Sequence, residues 1–222
     1  MTQLLLVRHA TNDWVGSQRL AGRRPGVHLN ARGRAEAAAL AARLDGYPIA
    51  AVYASPLERT RETAAWLAAP RGLPVLPLEG VLEIDFGDWE GQALETLRKD
   101  PLWAGVQHAP SQTRFPGGET LAEAQTRALA ALEGLRRAHP EGVIAVVSHA
   151  DVIKAVVAHY SGVHIDLFQR FDVKPASVSV VRFTAERPMV LAVNALGPIP
   201  PPPEAPSADP ESPDAETASR PA

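Results

Sequence analysis

The chain has 222 residues, 45% of them hydrophobic, with no cysteine and 22 basic against 25 acidic residues for a net charge of −3. That length and apolar content suit one α/β domain with a sizeable core, and the missing cysteines exclude disulfides, thiol catalysis and thiolate-held metals. No apolar run approaches the roughly 18 residues of a membrane span, and Met1-Thr2-Gln3 leads straight into the first apolar run, so the expectation is a cytoplasmic protein without signal peptide or membrane association.

Leu4-Leu5-Leu6-Val7 is a run of branched apolar residues that suits a strand buried on both faces, as in a parallel sheet. It ends in Arg8-His9, at the carboxyl edge where open parallel sheets bind ligands. Asn30 is placed to cap a helix over 31–44. Ala50–Ala54 reads as a short strand, after which Ser55 (cap), Pro56 (first position) and Glu58 (capping box) predict a helix over 56–69. Arg59 then falls in the first helical turn, near the same edge. Leu73–Leu78 reads as a strand. Beyond the acidic segment Leu82–Gly91 the alternation breaks, with helices expected over 93–99 and 121–138 and a Gly/Pro-rich stretch between them. Gly142–Ser148 is a second apolar strand ending in a histidine, His149, and Asp151–His159 continues with helical spacing. Ser177–Phe183 and Met189–Asn194, separated by Glu186-Arg187-Pro188, predict an antiparallel hairpin.

The composition changes at Gly197. From Pro198 onward the chain is Pro, Ala, Ser and acid, too poor in apolar residues to offset ordering, so a disordered tail is expected over 198–222 behind a domain at 1–197. That tail holds five acidic residues and one arginine, leaving a body with 21 basic and 20 acidic residues. A near-neutral body argues against nucleic-acid binding and confines any positive field to a pocket. The pattern as a whole predicts a three-layer α/β/α fold, a mainly parallel sheet flanked by helices, with a small helical and loop cap inserted over about 85–120.

Arg8, His9, Arg59 and His149 thus converge, with a helix N-terminus, on one sheet edge. Arginine forks match tetrahedral oxyanions bidentately, and a helix N-terminus favours an anion. The chain lacks GxxxxGK[ST] and GxGxxG, so the cradle is built of side chains, and it lacks HxH and HExxH, so no metal or cofactor is expected. Glu83, beside Leu82, Ile84, Phe86 and Trp89, is the candidate proton donor, with Asp85, Asp88 and Glu90 as nearby competitors.

Leu6-Val7-Arg8-His9-Ala10-Thr11, Ser55-Pro56-Leu57-Glu58-Arg59-Thr60-Arg61-Glu62-Thr63-Ala64, the Leu82–Gly91 segment, Phe115-Pro116-Gly117-Gly118-Glu119-Thr120 and Val146-Val147-Ser148-His149-Ala150 resemble, in order and spacing, the histidine phosphatase superfamily, also called phosphoglycerate-mutase-like. Gly22 and Leu29–Gly33 extend the likeness over roughly residues 3–195. The resemblance implies that His9 is a nucleophile that becomes a phosphohistidine, that Arg8, Arg59 and His149 hold the phosphoryl oxygens, and that Glu83 protonates the leaving oxygen. Asn12 falls among the substrate-contacting positions. Ala10 and Ala150 stand where glycine is usual, His28 where proline is, and Lys154 where arginine is more frequent. The implied activity is metal-independent hydrolysis of a small phosphorylated metabolite. The alternatives are a phosphoglycerate-type mutase, for which the cap is short and lacks a paired-arginine grip, and a non-catalytic phospho-ligand binder. Trp89, Trp103, His108, Arg114 and Phe115 are the cap residues expected to shape selectivity, and a homodimer is compatible with the family.

Overall fold

A computed structural model describes residues 1–203. Six strands form a single sheet: β1 (Thr2–Arg8), β2 (Ile49–Ala54), β3 (Val75–Pro77), β4 (Gly142–Ser148), β5 (Val178–Phe183) and β6 (Pro188–Ala195). Their spatial order is β3-β2-β4-β1-β5-β6. The first four run parallel, and β5 and β6 close one side as the expected antiparallel hairpin.

Leu4, Leu5, Leu6 and Val7 are all buried because successive side chains enter different cores. Leu4, Leu6, Ile144 and Val146 face α5 (Leu121–Ala138) and α6 (Ala150–Tyr160) through Ala128, Leu132, Val152 and Val156. Leu5, Val7, Ala145 and Val147 face α1 (Ala31–Arg43) and α2 (Glu58–Ala68) through Ala37, Leu40, Ala64 and Leu67. These are the three layers that a sheet apolar on both faces requires. The register sets Arg8 opposite Ser148 and Ala54 opposite Val147, so β1, β2 and β4 end side by side. The connection leaving β1 crosses to β2 on one face, and the one leaving β4 crosses to β5 on the other. Their adjacent carboxyl ends form the switch point of the sheet, where such folds open a crevice.

Asn30 caps α1 as expected, its side chain accepting from Gly33 N at 2.9 Å. Other boundaries differ. α2 starts at Glu58 rather than Pro56, with Leu57 at its cap position and no side-chain capping bond. The strand expected over 73–78 contracts to Val75–Pro77, following a short 3-10 turn that ends at Gly72 in the left-handed conformation. In the cap, the helix expected over 93–99 is the single turn α3 (Leu94–Leu97), and the stretch read as Gly/Pro-rich contains α4 (Leu102–His108). Pro101 caps that helix rather than breaking it, and Gly105 faces the Thr113 hydroxyl, where a Cβ would sit 2.7 Å from Oγ1.

The composition break at Gly197 does not coincide with the end of ordered packing. Ile199 packs against the α1-side core, the Tyr47 hydroxyl donates to Pro200 O, and Arg182 Nη2 donates to Pro201 O at 2.5 Å. The rest of the expected tail, 204–222, lies outside the described residues. Among the described residues no helix is long and apolar enough to cross a membrane.

Gly33 fixes the approach of α1 to the first strand-end loop, since a Cβ there would lie 1.8 Å from Thr11 O. Gly33→Ala is expected to destabilise the fold by roughly 2 kcal/mol despite alanine's better helix propensity. Urea unfolding at wild-type stability would show that α1 can shift without cost.

Candidate active site

The backbone following β1 is held from three sides. His9 N donates to Ser148 O at 2.9 Å, Ala10 N to Thr63 Oγ1 at 3.0 Å, and Thr11 N to Glu36 Oε2 at 2.9 Å. The His9 ring is thereby fixed over the sheet edge and is 5% exposed. Its Nδ1 lies 2.8 Å from Ala10 O. A carbonyl can only accept, so Nδ1 carries the proton and Nε2 is left with a bare lone pair. Burial, then the charges of Arg59 and Arg8, pushes the His9 pKa well below its ordinary value. The ring is neutral, as a nucleophile must be.

Arg59 is 1% exposed, carried by the first turn of α2. Its Nη2 donates to Gly22 O at 2.7 Å and approaches His149 Nδ1 at 3.3 Å, while Nη1 is buried and makes no hydrogen bond. Arg8 donates through Nη1 to Val173 O at 2.6 Å, and its Nε is likewise unsatisfied. Burial lowers both guanidinium pKa values, but arginine remains charged.

His149, fully buried, sits at the cap position of α6, 5.4 Å from His9 between ring centroids. A guanidinium only donates, so Nδ1 of His149 accepts from Arg59. Nε2–H then donates to Ser55 Oγ at 2.8 Å. This is why the expected capping box fails: Ser55 is turned toward the histidine, and Glu58 accepts from Gly26 N instead. Burial, then Arg59, His9 and Arg8, also holds His149 well below its ordinary pKa.

Glu83 enters from the far side, its carboxylate 3.7 Å from His149 Nδ1 and its side chain 14% exposed. Oε1 accepts from Ile84 N at 3.0 Å. Burial, then the charge of Asp151, raises its pKa to about 7, against the opposing pull of Arg59, the Ile84 N–H and Arg8. The competing acids are engaged elsewhere. Asp85 pairs with Arg23 at 3.3 Å, Glu90 accepts from Arg23 N at 2.8 Å, and neither these two nor Asp88 lines the pocket.

Asn12 lines the same pocket, its Oδ1 accepting from Trp14 N at 2.9 Å and Val15 N at 3.2 Å. Arg8, His9, Asn12, Arg59 and Glu83 thus surround one cavity of about 320 Å³, with His149 directly behind it. Of the two alanines that stand where glycine is usual, Ala10 is fully buried and Ala150 lines the cavity. Among the cap residues, Trp89, Trp103 and Phe115 border a neighbouring apolar cavity. Arg114 instead turns outward to Glu123 and Gly118 O, and neither it nor His108 lines either cavity. His28 is also remote, paired with Glu62 on the surface.

Sequence reasoning assigned no site role to the supports. Glu83 O accepts from Arg23 Nε at 2.8 Å and Arg127 Nη2 at 3.1 Å, and Glu119 joins the two arginines at 3.0 and 2.6 Å. Glu119 lies within the Phe115–Thr120 motif, so its motif was visible although its role was not. Asp151 and Lys154, paired at 3.2 Å near the start of α6, line the pocket; Asp151 was readable only as a helix position, Lys154 as a departure from the family's more frequent arginine. Chemically, two fixed cations, two neutral imidazoles and one protonatable carboxyl can bind a tetrahedral dianion, attack it and protonate a departing oxygen.

The sequence model of the histidine phosphatase superfamily (branch 1) matches residues 4–196. "Phosphoserine phosphatase 1" of Hydrogenobacter thermophilus is 33% identical over 202 residues, covering 87% of this chain and 92% of the relative. "Probable phosphoglycerate mutase GpmB" of Shigella boydii is 27% identical, covering 82% of this chain and 86% of the relative. Among solved structures, Bacillus stearothermophilus YhfR superposes with a TM-score of 0.82 at 28% identity, over 90% of this chain and 98% of that one.

The Ser55–His149 bond makes a direct prediction. Ser55→Ala leaves a buried imidazole N–H unsatisfied, which costs about 1–3 kcal/mol. The variant should bind inorganic phosphate or vanadate roughly tenfold more weakly by calorimetry. Unchanged affinity would mean that His149 holds its orientation without Ser55.

Proposed function

The chain belongs to the histidine phosphatase superfamily, and we propose that it is a metal-independent phosphomonoester hydrolase acting through a phosphohistidine at His9. The observation that carries this reading is the protonation pattern of His9. Nδ1 is committed to Ala10 O, so Nε2 is the free nucleophile in a pocket that also holds Arg8, Arg59 and Glu83.

In the first half-reaction Nε2 of His9 forms a bond to phosphorus as the bond to the ester oxygen breaks. The charge that develops on the equatorial oxygens is met by Arg8 and Arg59, whose unsatisfied Nε and Nη1 are available donors, while His149, with Nδ1 accepting from Arg59 and Nε2–H held by Ser55, orients the Arg59 guanidinium rather than contacting an oxygen itself. Asn12 contributes a polar contact at the rim. Glu83, protonated near neutral pH, gives its proton to the departing alcohol. In the second half-reaction the resulting carboxylate takes a proton from water. That water attacks phosphorus, and Nε2 leaves with its lone pair restored.

His9→Ala should abolish phosphate release, and rapid quenching of the wild type with labelled substrate should trap an acid-labile phosphoimidazole; failure to trap it would overturn the mechanism. Isomerisation of phosphoglycerate outpacing phosphate release, with 2,3-bisphosphoglycerate as primer, would replace hydrolysis by the mutase reading.

The proton-donor role has its own signature. Glu83→Gln should slow phosphorylation by an alkyl ester about 10²–10⁴-fold, and by an activated aryl ester far less, in pre-steady-state measurements. Because the carboxyl must be protonated to act, kcat/KM for alkyl esters should fall as pH rises past about 7, and this limb should vanish in Glu83→Gln. Equal losses for both esters would remove Glu83 from the role.

A further inference from the structure

Beside the catalytic pocket lies a second cavity of about 160 Å³, enclosed by the cap and lined by Phe86, Trp89, Trp103, Val106, Phe115 and Phe168. It adjoins the first, Leu20, Phe86 and Asp151 bordering both. Its walls are buried, mutually packed rings. Phe86, Trp89 and Phe115 are each at most 5% exposed and pack edge-to-face, with Phe86–Phe115 centroids 4.9 Å apart and Trp89–Phe115 5.5 Å.

The polar side chains at this cavity are few: Asp151, which it shares with the catalytic pocket, and the amides Gln107 and Gln169. No arginine or lysine lines the cavity. The nearest candidates are committed: Lys154 to Asp151 at 3.2 Å and Gln169 at 3.0 Å, Arg19 to Gly91 O at 2.6 Å. A leaving group carrying a carboxylate would be desolvated there with no free cation in the annex lining to balance it, beside an aspartate that already takes Lys154 as its partner.

We infer that this annex receives the leaving group, and that the enzyme prefers phosphomonoesters whose alcohol is uncharged and apolar, about the size of one six-membered ring. An apolar cavity of roughly 150 Å³ accepts benzene, which sets that limit. A hydroxyl or amide N–H on the ring finds an acceptor in Asp151. The inference rests on the phosphatase reading for turnover, but the annex itself reads out in binding.

The test compares benzyl phosphate with phosphoserine, both esters of primary alcohols. By calorimetry on the non-hydrolysing His9→Ala protein, benzyl phosphate should bind at least tenfold more tightly, the range an apolar pocket supplies. Val106→Phe, which fills the annex, should collapse that ratio toward unity. A ratio of one or less on His9→Ala overturns the inference, as does a preference that survives Val106→Phe. Turnover of both esters by the wild type addresses the phosphatase reading separately: preferential binding without turnover would sink hydrolysis and keep the annex.

Discussion

Arg8 and Arg59 are buried against the sheet edge without a carboxylate of their own. Each is satisfied in part by a backbone carbonyl, Val173 O for one and Gly22 O for the other, and each retains a buried N–H with no partner. Unpaired charge in a desolvated site is expensive, and the neighbourhood is arranged around that cost. His9 and His149 are driven to their neutral forms by burial and by the two guanidiniums. The same constraint that surrounds the pocket with positive charge therefore also keeps His9 unprotonated. In the proposed mechanism, affinity for phosphate and reactivity of His9 are consequences of one arrangement.

Two carboxyl groups tied to the same pair of arginines, Glu83 and Glu119, show how environment sets their protonation. Burial would raise the Glu119 pKa, but hydrogen bonds from Arg127 and Asp85 N, with the charges of Arg127 and Arg23, hold it below the ordinary value. Glu83 has only one backbone donor and faces the like charge of Asp151, so burial prevails and its pKa rises to about 7. The two arginines that keep Glu119 ionised also hold the Glu83 main-chain carbonyl. One network thus fixes the position of Glu83, the proposed proton donor, while leaving its carboxyl free to be protonated.

The chemistry-bearing residues were legible in the sequence because they sit at places with a local signature. Arg8-His9 and His149 end runs of branched apolar residues, and Arg59 opens a helix, so strand and helix periodicity alone brings them to one edge. The supports had no such signature. Ser55 satisfies every local rule for a helix cap, yet its hydroxyl meets His149 Nε2 across 94 residues of sequence. Helix α4 was hidden behind Pro101 and Gly105, both of which read as breakers until their positions are known. Arg114 and Trp103 looked equivalent as cap residues, but one faces solvent and the other a cavity, a distinction that depends on how the cap lies over the sheet.

The order of apolar runs, caps and punctuating residues determined a doubly covered sheet and the set of groups at its carboxyl edge, because strand alternation and helix periodicity are local properties of the chain. Which donor each of those groups would meet, which carboxyl would keep its proton, and what cavity the cap would wall off were decided only by the tertiary structure. Hydrogen-bond partners, desolvation and cavity walls arise between segments far apart in sequence, and nothing in a linear pattern encodes their distances.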